Sequence, residues 1–113
     1  MGFNGVRKHQ KAEDPRYLYP HAELAFLTPL HRITEDGTVN EIGLRTAPLS
    51  SYVTAVLEFA GYYGLPVLDL LHTSGLHPKL DSIRKIFMLD GLHPSDAGAA
   101  RIARRLHDFL QSL

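Results

Sequence analysis

The apolar positions of this chain change their spacing several times, and each spacing predicts an element. In ELAFLT (Glu23–Thr28) they run almost without interruption and stop at Pro29, which suits a short parallel strand covered on both faces better than a half-exposed one. After Pro48 the spacing lengthens. Leu49, Tyr52, Val53, Val56, Phe59, Ala60 and Tyr63 recur about 3.5 positions apart, the period of an amphipathic helix, and Gly64 is suited to closing it. PVLDLL (Pro66–Leu71) is a second short apolar run with proline at its first position only, where a strand tolerates it. A short helical stretch follows over Lys79–Phe87. Between Asp96 and Leu113, the residues Ala99, Ile102, Ala103, Leu106, Phe109, Leu110 and Leu113 form one stripe behind Ser95, predicting a capped terminal helix packed on the sheet.

Strand, helix, strand is a βαβ unit with parallel strands and a right-handed crossover. Two parallel strands leave both faces and both edges to satisfy, so further strands are expected outside this chain, from upstream sequence or from a partner, another copy included. The segment Pro29–Pro48 carries Asp36-Gly37 and Gly43 and is expected to be a long loop with a turn at EDGT, placed to act as a lid. Residues 1–16 are polar and aperiodic, an irregular lead-in to an α/β unit over residues 17–113.

Composition narrows the partners. The 113 residues carry 12 basic and 12 acidic side chains and are 44% apolar, which limits the chain to one globular domain at most. Without net charge no long-range field draws it to nucleic acid or an anionic membrane, and a neutral or small-molecule partner is expected. The absence of cysteine excludes disulfides, thiolate metal sites and a cysteine nucleophile. No apolar run approaches the ~20 residues of a membrane span. The first residues lack the apolar stretch of a secretory signal, and Val6 stands where a myristoylation site needs serine or threonine.

The chemistry concentrates in LDGLHPSDAGAARIA (Leu89–Ala103). In a tight turn Asp90 reaches the Nδ1 proton of His93, fixing the tautomer and leaving Nε2 as a base. Gly91 permits the sharp path, Pro94 stiffens the exit and Ser95 caps the helix, so the imidazole stands on a rigid ledge.

This block, DGLHPSDAG, resembles the last conserved block of the SGNH (GDSL-type) hydrolases, Asp-x-x-His-Pro before a helix start rich in small residues. ELAFLTPLHR and PVLDLL resemble that family's last two strands, so the likeness covers roughly Tyr19–Leu113 in the family's order of elements. The resemblance implies the C-terminal portion, about two strands and two to three helices, of a flavodoxin-like three-layer α/β/α sandwich with a parallel sheet. It also implies that Asp90 and His93 are the acid and base of a Ser-His-Asp triad hydrolysing a small ester through an acyl-enzyme, with no cofactor. The family's Gly-Asp-Ser block and its glycine and asparagine oxyanion donors are not in this chain. None of Ser50, Ser51, Ser74, Ser82, Ser95 or Ser112 has the context of a nucleophile. The chain alone is therefore expected to be close to inert, and its missing half to complete both sheet and triad.

Other residues offer other chemistry. His31 and Arg32 follow the first strand's carboxyl end, where open α/β sheets bind ligands, and are candidates for substrate contact. No metal site is expected: His72 and His77, with Asp69 or Asp96 and near His93, offer a metal-dependent hydrolase as the third alternative, but their spacing matches no standard zinc pattern and a solvated loop histidine is commoner. Tyr52, Phe59, Tyr62 and Tyr63 read as core and helix surface, and Arg101, Arg104 and Arg105 as the wet face of the last helix. A non-catalytic piece that pairs through its open sheet edge is the competing class of function.

Overall fold

The computed structural model describes residues 14–33 and 48–113. Most of the expected lead-in and the loop with its EDGT turn and lid role lie outside the described residues. The elements are β1 (Phe26–Leu27), α1 (Leu49–Tyr63), β2 (Val67–Leu68), α2 (Leu70–Thr73), α3 (Asp81–Phe87) and α4 (Asp96–Gln111). The strands are parallel, with Phe26 opposite Val67 and Leu27 opposite Leu68. This is a small α/β unit of two parallel strands flanked by helices, consistent with part of a three-layer α/β/α sandwich.

Helix α1 takes the predicted span because its period puts Leu49, Val53 and Ala60 on one buried face. Leu49 and Val53 pack with Leu71 and Leu57. Its end is a Schellman motif: Gly64 is left-handed (φ 66°), its N–H bonds the Gly61 carbonyl at 3.2 Å, and the Leu65 N–H bonds the Ala60 carbonyl at 2.8 Å. Alanine at position 64 would meet no atom within 4 Å, so only backbone strain opposes it. Gly64→Ala is expected to cost about 1 kcal/mol in urea unfolding.

The strands are shorter than their apolar runs. Asp69 ends β2 by accepting the His72 N–H, so Leu70 and Leu71 belong to α2. The expectation that β1 is covered on both faces also fails, since Leu27 is 45% exposed. The amides of Phe26 and Thr28 donate to the Pro66 and Leu68 carbonyls of the β2 segment, both at 3.0 Å. The backbone groups of Leu27, one residue out of step, face the opposite edge, where no further strand lies among the described residues.

Helix α4 forms where its stripe and cap predict, with the Ser95 hydroxyl accepting the Gly98 N–H at 3.2 Å. Its packing differs from expectation: α4 lies chiefly against α3 rather than the sheet. Ile102, Leu106 and Phe109 are only half-buried and Leu110 and Leu113 are exposed. Leu49, Val53, Ala60, Leu65, Leu70, Leu71, Leu76 and Met88 make up the buried apolar set, and none of them belongs to α4, whose apolar stripe stays partly wet.

Candidate functional site

Between α3 and α4 the chain turns through residues 88–95, and the turn is fixed from several directions. Met88 is fully buried. Gly91, left-handed at φ 74°, donates its N–H to the Met88 carbonyl at 2.9 Å, and its carbonyl accepts the Ile33 N–H at 2.8 Å. A side chain at position 91 would put a Cβ 3.2 Å from the Ile33 Cβ, so glycine serves both the backbone path and the approach of the segment leaving β1. At the exit, Ser95 N–H donates to the Phe87 carbonyl and Ser95 Oγ to the Ile86 carbonyl, both at 2.7 Å.

Asp90 organises the interior of this turn. One carboxylate oxygen accepts the N–H groups of Leu92 at 2.8 Å and His93 at 2.7 Å. The other lies 2.7 Å from His93 Nδ1. The His93 N–H above all, then the His93 side chain and the Leu92 N–H, hold the Asp90 carboxyl well below the usual carboxylate range. A depressed acid contributes its stabilisation above the unfolded pKa of about 4 and loses it as pH falls through the lower folded value. A carbon-13 NMR titration of the Asp90 carboxyl should accordingly show its midpoint well below 4, and a midpoint at about 4 would mean the turn does not hold in solution.

The side chains of His93 and Asp90 are 76% and 56% exposed. With Nδ1 bonded to the carboxylate, the neutral imidazole carries its acceptor lone pair on Nε2. The arrangement can take a proton from an incoming hydroxyl.

The two candidate substrate contacts separate. Arg32 lines an open cleft of about 240 Å³ with Pro29, Leu30, Leu49 and Leu92, whose last wall adjoins His93 in sequence. His31 stacks on His77 instead, with ring centroids 4.3 Å apart and planes inclined by 29°.

The proposed metal ligands are not gathered. His72 Nδ1 is 2.7 Å from an Asp69 oxygen, the His77 Nδ1 accepts the Lys79 N–H at 3.2 Å, and Asp96 stands in the first turn of α4. No three of these residue types are grouped to hold a metal among the described residues. Asp69 and His72 form something else, a second Asp-x-x-His pair built like the first. One Asp69 oxygen accepts the His72 N–H at 3.2 Å while the other meets Nδ1. The buried Thr28 hydroxyl lies 3.3 Å from Asp69 Oδ1 and accepts the Leu71 N–H at 3.0 Å, tying the two strand ends together. The repeated spacing, DLLH beside DGLH, is the sequence signal for this second pair.

Two solved structures share this arrangement of elements. One is 33% identical over 96% of the chain, with a TM-score of 0.72. The other, a structural-genomics target from Lactobacillus plantarum, is 25% identical over 86% of the chain, also with a TM-score of 0.72. The chain is similar to half of each. It spans 48% of the length of both proteins. No family model and no curated protein matches the chain.

Proposed function

We propose that the chain is the C-terminal portion of an SGNH (GDSL-type) serine hydrolase, contributing Asp90 and His93 to a triad that hydrolyses a small ester. The observation that carries this reading is the exposed His93 ring with its Nδ1 2.7 Å from Asp90. The half-length similarity to two larger proteins and the outer edge of β1, where no further strand lies among the described residues, favour a second half that supplies the nucleophile and oxyanion donors.

In this mechanism His93 Nε2 takes the proton of a serine hydroxyl as its oxygen attacks the ester carbonyl. Collapse of the tetrahedral intermediate passes that proton to the departing alcohol and leaves an acyl-enzyme, which water attacks with His93 again as base. Asp90 keeps the ring in one orientation and stabilises the imidazolium.

The test is covalent labelling. A polypeptide extended upstream to a Gly-Asp-Ser block should take up a fluorophosphonate probe at that serine, and this chain alone should not. Labelling of the extended protein at the same rate after His93→Ala would remove His93 as its base. The outer edge of β1, where Leu27 is 45% exposed and no further strand lies among the described residues, favours a second reading, a non-catalytic piece pairing through β1. It predicts tight association with a partner strand and no labelling in any context.

A further inference from the structure

We propose that the groove between the end of α3 and the arginine face of α4 is an anion site that takes a phosphate or phosphomonoester dianion. It lies outside the Asp90–His93 turn and does not depend on the hydrolase reading. The groove holds about 420 Å³ and is lined by Phe87, Ala97, Ala100, Arg101, Arg104, Arg105 and Asp108. Helical spacing of three and four residues places the arginines on one face.

Arg101 is exposed, and its guanidinium already lies over an aromatic face. Its guanidinium lies 4.9 Å from the centroid of the Phe87 ring, the arrangement of a cation–π contact. Its Nη1 also lies near Gly75, where an added Cβ would stand 3.0 Å away. The Gly75 backbone is itself fixed, left-handed at φ 75° between the buried Ser74 and Leu76. A guanidinium stacked on a ring gives up less freedom when an anion binds than one without that contact.

The charge pattern, three arginines against the one carboxylate of Asp108, leaves room for such an anion. Arg101 and Arg105 are like charges one turn apart, an arrangement that works against a helix. Among the described residues, no carboxylate lies within ion-pair distance of Arg101, Arg104 or Arg105. Asp108 shares the groove, and its Oδ1 lies 3.4 Å from His107 Nδ1. A phosphate group accepts several N–H donors at once and matches the planar fork of arginine. Three arginines over so short a stretch, on a chain of zero net charge, suit one small dianion better than a polyanion track.

Inorganic phosphate, then phenyl phosphate, titrated into the nitrogen-15-labelled chain at low ionic strength tests the site and separates free phosphate from a phosphomonoester. Saturable shifts at the Arg101 and Arg104 Nε–H groups and the Gly75 amide are expected, with a Kd at or below about 1 mM. Arg101→Gln should weaken binding about 10-fold. The exposed Arg104→Gln, which leaves the Phe87 stack alone, should do the same, whereas His93→Ala should leave Kd unchanged. Non-saturating shifts shared with Arg16 and Arg84, or unaltered binding in both arginine variants, would overturn the proposal. So would an oligonucleotide whose affinity for this face rises with its length.

Discussion

On the proposed hydrolase reading, replacing His93 by alanine in the protein completed by its second half is expected to lower kcat for p-nitrophenyl acetate by about 10⁶-fold, and Asp90→Asn by about 10⁴-fold. The difference comes from what each change leaves behind. Without the imidazole nothing removes the nucleophile's proton. In Asp90→Asn the amide oxygen can still accept the Leu92 and His93 N–H groups that Asp90 Oδ1 now holds at 2.8 and 2.7 Å, so the turn persists. The amide nitrogen then faces Nδ1, which favours the tautomer protonated on Nε2 and removes the base without moving the ring. His72→Ala is the internal control, because the Asp69–His72 pair has the same 2.7 Å contact and a different place in the fold. If His72→Ala abolished turnover while His93→Ala retained it, the two pairs would exchange roles.

The second large effect is structural. Gly98→Ala should destabilise the protein by about 3 kcal/mol in urea unfolding, at the upper end of overpacking costs. A Cβ at position 98 would lie 2.4 Å from the Phe87 carbonyl oxygen and 3.0 Å from the Pro94 Cβ. Neither neighbour can yield cheaply. The Phe87 carbonyl accepts the Ser95 N–H at 2.7 Å, and Pro94 directly follows His93, so relief of the clash moves α4 away from α3 and displaces the imidazole. Gly61→Ala supplies the comparison: its added methyl would meet nothing within 4 Å and should stabilise α1 by about 0.5–1 kcal/mol. Helix propensity favours alanine at both positions, and the Phe87 carbonyl reverses the sign at one. Equal effects of the two substitutions would show that α3 and α4 do not meet as described.

The turn was legible because its determinants are local. An aspartate reaching the backbone and ring of a residue three positions on, a glycine at positive φ and a serine cap all act within a few residues, and Asp90, Gly91, His93 and Ser95 adopt these roles in the structure. The strands were less legible. Pro66–Leu71 reads as one apolar run, yet Asp69 divides it by capping α2, a choice strengthened by the Leu71 N–H bond to Thr28, 43 residues away in sequence. The placement of His31 on His77 and of Arg32 in the cleft beside Leu92 likewise depends on long-range packing that spacing does not encode.

By itself, then, the order of residues determined α1, α3 and α4, the Gly64 and Ser95 caps and the Asp90–His93 pair, since periodicity and short-range hydrogen bonding reside within one segment. Only the tertiary structure decided which apolar faces are covered. Among the described residues it left the outer edge of β1 without a further strand and much of the α4 stripe exposed, made Gly98 a steric necessity and laid the exposed Arg101 over the Phe87 ring. Burial and close approach are properties of two segments meeting, and a pattern read along one segment carries no information about the other.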